Sequence, residues 1–135
     1  MKVNEIMSKN IVKVNSEDSV SKAAEIMDSK SIGSLLVENT GIITERDIVR
    51  MVAAGKDPYE TLVKDIMSSN VVKADVNTTI EEASEILEQN KIRRLVITEN
   101  NETVGILTIR DVNKNLRFLL AKRITEQSRP SYDKP

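Results

Sequence analysis

The chain contains no cysteine and no histidine among its 135 residues, and aromatic side chains make up 2% of it. Without cysteine, disulfides and thiolate chemistry are excluded. Without histidine, the usual general base near neutral pH is absent, and so are ordinary zinc sites and Ser-His-Asp catalysis. The scarcity of aromatics removes stacking platforms for single-stranded nucleic acid. With 20 basic and 21 acidic residues the formal net charge is −1, so no global field draws the chain to nucleic acid or membrane. No apolar run approaches the roughly 20 residues of a bilayer span, and the opening MKVNEIMSKN lacks a signal-peptide core. Together these absences predict a cytoplasmic binding protein with no catalytic residues and no metal.

What is present is a repeat. A composition of 39% hydrophobic and 30% charged residues suits a folded domain. GIITERDIV, residues 41–49, returns as GILTIRDVN, residues 105–113. Ile6-Met7-Ser8 returns as Ile66-Met67-Ser68, and VSKAAEIM from Val20 matches IEEASEIL from Ile80. A self-similar period of this size marks a tandem of homologous units. Each copy reads β-α-β-β-α. A short strand is expected over residues 11–14. Val20, Ala23, Ala24 and Met27, like Ile80, Ala83, Ser84 and Leu87, then fall at i, i+3, i+4 and i+7 on one helical face. Thr79 and Glu82 have the spacing of a capping box. Strands follow at 34–37 and 94–98, then the glycine strands, then a helix that ends near Gly55 in the first copy.

Units of about 60 residues are marginal alone, so the expected fold class is α/β (α+β), with the two units most simply packed sheet to sheet around a shared core. The expected domains are 1–61 and 62–124, broken at Asp57-Pro58, with 125–135 as a mobile tail. In both copies Thr sits where strand becomes helix, and unpaired N–H groups at such a turn can hold an anion. The bland alternative is that Thr44 caps the helix and Asp47 favours its positive end; the two roles are compatible. The last helix carries Val112, Leu116, Leu119, Leu120 and Ile124 as an apolar stripe, with Lys114, Lys122 and Arg123 giving it a basic face.

Tandem β-α-β-β-α units bearing G-h-h-T/S-x-x-D (h, apolar) resemble CBS domains, two of which form a Bateman module. The likeness spans roughly residues 3–120. It implies pseudo-twofold symmetry between the units and a regulatory module that binds an adenine nucleotide (AMP, ADP or ATP) or S-adenosylmethionine in two clefts between them, with no required cofactor. By that resemblance one cleft would use Ile42, Thr44, Arg46 and Asp47 with Thr78 and Ala83. The other would use Ile106, Thr108, Arg110 and Asp111 with Asp18 and Ala23, and Arg94 stands where related γ subunits place a phosphate-contacting arginine. Ser34 replaces that arginine in the first copy, and Asp18 brings a negative charge where the second copy has Thr78. A homodimer is expected, with a protein target that the chain does not name. The rivals are a dimeric interaction module with vestigial clefts and an enzyme that acts on the nucleotide.

Overall fold

The computed structural model describes residues 1–38 and 41–127. Its elements are β1 (Lys13–Val14), α1 (Val20–Lys30), β2 (Ser34–Val37), β3 (Gly41–Thr44), α2 (Glu45–Ala53), α3 (Val63–Ile66), β4 (Lys73–Asp75), α4 (Ile80–Asn90), β5 (Arg94–Glu99), β6 (Glu102–Thr108) and α5 (Ile109–Gln127). The β-α-β-β-α order thus occurs twice, as expected. There are two three-stranded sheets, β1-β2-β3 and β4-β5-β6, each with a parallel first pair and an antiparallel second pair.

Helix α1 starts where the Ser19 side chain accepts the Lys22 N–H, and it buries Val20, Ala23 and Met27. Helix α4 starts at Thr79 in the same way and buries Ile80, Ala83 and Leu87. Glu82 completes that cap differently from a full capping box: it accepts the Thr79 hydroxyl at 3.0 Å. Under α1 lie Leu35, Val37 and Ile43 from the sheet, with Val14 and Val63. Leu35 and Ile43 expose no surface, and each such side chain contributes about 2 kcal/mol by transfer from water. Helix α2 ends in a Schellman motif around Gly55, whose φ is +78°; Gly55 N–H donates to Val52 and Lys56 N–H to Met51. The β5–β6 hairpin turns through Asn100 and Asn101, both left-handed, as a two-residue I′ turn requires.

Several expectations change. The strand over 11–14 shrinks to Lys13–Val14, because its parallel register with β2 covers only Leu36 and Val37. Helix α5 continues to Gln127, so Thr125–Gln127 are helical where a mobile tail was expected; 128–135 lie outside the described residues, as does the Leu119 side chain. A 3-10 turn at Val3–Glu5 precedes the first IMS opening, and α3 ends on Ile66, the first residue of the second.

The compact units also differ from the repeat boundaries. One, continuous, is Asn10–Val72; the other, split, joins Met1–Lys9 to the chain from Lys73 onward. The physical reason is strand pairing. Ser8 bridges Ile106, and Ser68 bridges Ile42. Each IMS opening therefore packs with the glycine strand of the other repeat, and Asp57-Pro58 is an internal turn of the continuous unit.

Candidate functional site

The two Thr-x-x-Asp turns are close copies in their geometry. Thr44 is extended (φ −123°, ψ 164°) and caps α2. Its Oγ1 accepts the Asp47 N–H at 3.3 Å and donates to Asp47 Oδ2 at 3.1 Å, while its N–H donates to the same Oδ2 at 2.9 Å. In the second turn, Thr108 Oγ1 accepts the Asp111 N–H at 3.2 Å and donates to Asp111 Oδ2 at 2.8 Å, and Thr108 N–H donates to that oxygen at 3.3 Å. One carboxylate oxygen therefore holds the cap. Among the described residues Oδ1 of each Asp has no hydrogen bond, which leaves an acceptor for a ligand hydroxyl.

The backbone donors are fewer than the sequence suggested. Glu45 N–H donates to Gly33 O at 3.1 Å and Ile109 N–H to Arg93 O at 2.8 Å. With the Thr and Asp N–H groups also satisfied, the Arg46 and Arg110 N–H groups are the open donors of each turn among the described residues. The expected anion cradle is thus reduced to one N–H per turn, because the turn uses its own donors to cap itself. Recognition of a phosphate would fall mainly to side-chain cations.

The remaining site residues divide between the units. The continuous unit holds Asp18, Ala23, Ile42, Thr44, Arg46 and Asp47; the split unit holds Thr78, Ala83, Arg94, Ile106, Thr108, Arg110 and Asp111. Arg46 and Arg110 are exposed, Arg94 is half-buried, and the neighbouring Arg93 is exposed. Arg94 stands directly opposite Thr108 in the β5–β6 ladder, as Ser34 stands opposite Thr44, so each pair shares a sheet face. Ile106 is buried, while Ile42 is half-buried and bonded both ways to Ser68. Ala23 and Ala83 expose no surface, so a ligand reaches them only if their neighbours move. Asp18 Oδ2 accepts the Asn15 N–H at 3.0 Å, and Lys22 Nζ lies 3.3 Å from Oδ1. Its charge is thus balanced within its own unit. Thr78 ties the split unit together, its carbonyl accepting the Val3 N–H at 2.9 Å.

Helical spacing brings Arg50 beside Asp47, and the chain beyond Gly55 returns Lys56 to the cavity that all three line. Neither was singled out from the sequence: the i+3 spacing from Asp47 could have pointed to Arg50, while Lys56 follows the Gly55 turn and no local spacing relates it to Asp47.

A family model described as CBS domain matches residues 3–54 and again 63–117. The chain belongs to the CBS domain family. Its CBS pair is 32% identical to CBS domain-containing protein YhcV of Bacillus subtilis, over 84% of both chains. It is 34% identical over 128 residues to inosine-5'-monophosphate dehydrogenase of Methanocaldococcus jannaschii, covering 90% of this chain but only a quarter of the dehydrogenase (25%). Among solved structures it resembles the CBS domain pair of protein MJ0100 in complex with 5'-methylthioadenosine and S-adenosyl-L-methionine. That likeness has a TM-score of 0.76 at 25% identity, covering 86% of this chain and 95% of the other.

Proposed function

We propose that this CBS pair is a regulatory module that binds an adenosine derivative (AMP, ADP, ATP or S-adenosylmethionine) at its Thr-x-x-Asp turns, without catalysis and without a required cofactor. The observation that carries this reading is the divided carboxylate. In both turns Oδ2 holds the cap and Oδ1 has no hydrogen bond among the described residues, and a carboxylate oxygen suits a ribose hydroxyl. The complex of the MJ0100 CBS pair with adenosine compounds supports the ligand class. Thr44, Arg46, Asp47 and Ile42 serve one site; Thr108, Arg110, Asp111, Ile106 and Arg94 serve the other. Asp18 and Thr78 act in this reading mainly through the loops they order, and Ala23 and Ala83, which expose no surface, through the packing of α1 and α4 within their own units.

The ligand signals by binding one conformation of the module better than another, and we place the module in the cytoplasm as a homodimer acting on a protein target. Val49 and Val52 on α2 and Phe118, Leu120 and Ile124 on α5 are large apolar side chains left exposed, the kind of surface that self-association covers. Those same side chains favour the rival reading, an interaction module that uses no ligand. Among the described residues no helix is long and apolar enough to cross a membrane.

The test is native mass against denatured mass after gentle purification. An excess matching an adenosine compound supports the sensor. No excess, together with no uptake of any of the four compounds added afterwards, favours the interaction module. Incubation with ATP and magnesium covers the enzymatic rival: product above a Thr44→Ala/Asp47→Ala control would overturn the non-catalytic reading.

A further inference from the structure

Beside the first turn, a cavity of about 260 Å³ is lined by Asp47, Arg50, Met51, Ala54, Lys56 and Ile66. The first four follow helical spacing i, i+3, i+4, i+7 and make one face of α2 and its cap. Lys56 arrives across the Gly55 turn, and Ile66 closes the wall from α3, all within the continuous unit. Arg50 and Lys56 are exposed. Neither is in an ion pair, since the two pairs among the described residues are Lys22–Asp18 and Lys64–Glu17. Two unbalanced cations and one carboxylate thus share a small concavity.

We propose that this cavity takes the phosphate groups of the ligand whose hydroxyls Asp47 accepts, making the first turn selective for phosphate-bearing adenosine compounds. The proposal rests on the adenosine reading above and adds the discriminating residues. Asp47 and Arg50 lie about 4.5 Å apart along the helix axis, so a single ribose phosphate can offer hydroxyls to one and phosphate to the other. The turn itself offers little to a phosphate, because its Thr44, Glu45 and Asp47 N–H groups are already bonded. Arg50 also faces the negative end of α2, a role compatible with its remaining open to an anion. S-adenosylmethionine carries a sulfonium and an ammonium cation against a single carboxylate, so its net positive charge is disfavoured beside Arg50 and Lys56, whereas the phosphates of a nucleotide are favoured. In the second repeat the equivalent positions are Lys114 and Leu120, so the second turn lacks one of the two charges.

Calorimetry on the full chain tests this with three probes: ATP, adenosine and inorganic tripolyphosphate. Arg50→Gln/Lys56→Gln is compared with wild type, with the charge-keeping Arg50→Lys/Lys56→Arg, and with Lys30→Gln as a remote control. In the glutamine variant, ATP binding at one site weakens by at least about tenfold, the loss expected from two charge-assisted contacts, while adenosine binding is unchanged. Tripolyphosphate binds wild type and is lost in that variant, and the charge-keeping variant restores most of both. Equal ATP affinity in wild type and the glutamine variant overturns the proposal, as does an equal loss for adenosine and ATP. If no adenosine compound binds wild type but tripolyphosphate does and is lost in the glutamine variant, the anion cavity stands and the adenosine reading falls. If tripolyphosphate also fails to bind, both fall. Thermal midpoints of all variants confirm that folded protein is being titrated.

Discussion

Ser68 and Ile42 exchange both of their backbone hydrogen bonds, Ile42 N–H to Ser68 O at 3.0 Å and Ser68 N–H to Ile42 O at 2.9 Å. Ser8 and Ile106 do the same at 2.9 and 3.0 Å. These bridges explain why the IMS and glycine motifs recur together: the opening of each repeat is the neighbour of the other repeat's glycine strand. The glycines are needed there for close approach. A Cβ on Gly41 would stand 2.8 Å from Ser68 O and 3.0 Å from Met67 Sδ, and one on Gly105 would collide with the Met7 sulfur.

Gly41→Ala should therefore destabilise the fold by about 1–3 kcal/mol, the usual range for overpacking, because a paired backbone oxygen cannot swing aside. Gly105→Ala should cost a similar amount alone. Met7→Ala should recover part of it, since the nearest atoms there belong to a flexible side chain. Urea unfolding of the single and double variants checks this; additive losses in Gly105→Ala/Met7→Ala would contradict it.

The repeat, both sheets and the four principal capped helices were legible because each has a local cause: periodicity, a cap, or a turn residue. The Thr44–Asp47 and Thr108–Asp111 pairs were legible for the same reason. The exchange of openings was not, since Ser8 and Ile106 are brought together by topology and no local pattern encodes which copy an IMS segment joins. The satisfied N–H groups were hidden too, because Gly33 and Arg93 supply their carbonyls from the loop before β2 and the approach to β5. Lys56 lines the same cavity as Asp47 only because the chain turns at Gly55.

Two left-handed positions offer opposite outcomes. Lys91 caps α4 with φ 53°, a conformation that costs a non-glycine residue about 1 kcal/mol. Lys91→Gly should raise stability by roughly 0.5–1 kcal/mol, net of the greater freedom glycine gives the unfolded chain. Gly55, at φ +78°, has nothing within 4 Å of an added Cβ, so Gly55→Ala should lose about 1 kcal/mol through φ alone. Thermal or urea unfolding checks both signs.

Acid stability should depend in part on Glu38. The Ser16 N–H and then the Ser16 hydroxyl, both 3.0 Å from its carboxylate, hold its pKa below the ordinary 4.5. The folded form therefore binds this proton less tightly than the unfolded chain does. The resulting stabilisation is fully present above the unfolded value and is lost as pH falls through the folded one. Glu38→Gln should flatten the fall in stability below about pH 4.5; a steeper fall in the variant would contradict this.

If α2 carries the contact between copies, Val49→Glu/Val52→Glu should shift the protein toward monomer in sedimentation velocity with its thermal midpoint nearly unchanged. Both positions are well exposed, at 66% and 58%, so the fold itself does not rely on them. An unchanged sedimentation coefficient would exclude α2 from the interface.

Asp47 in the first turn and Asp111 in the second are the carboxylates proposed to mark the adenosine sites. That assignment is tested most directly by titration calorimetry with AMP, ADP, ATP and S-adenosylmethionine on wild type, Asp47→Ala and Asp111→Ala. At least one compound should bind wild type, and each substitution should remove or weaken its own site while leaving the other. Binding that is unchanged in both variants, or no binding of any compound to wild type, would contradict it.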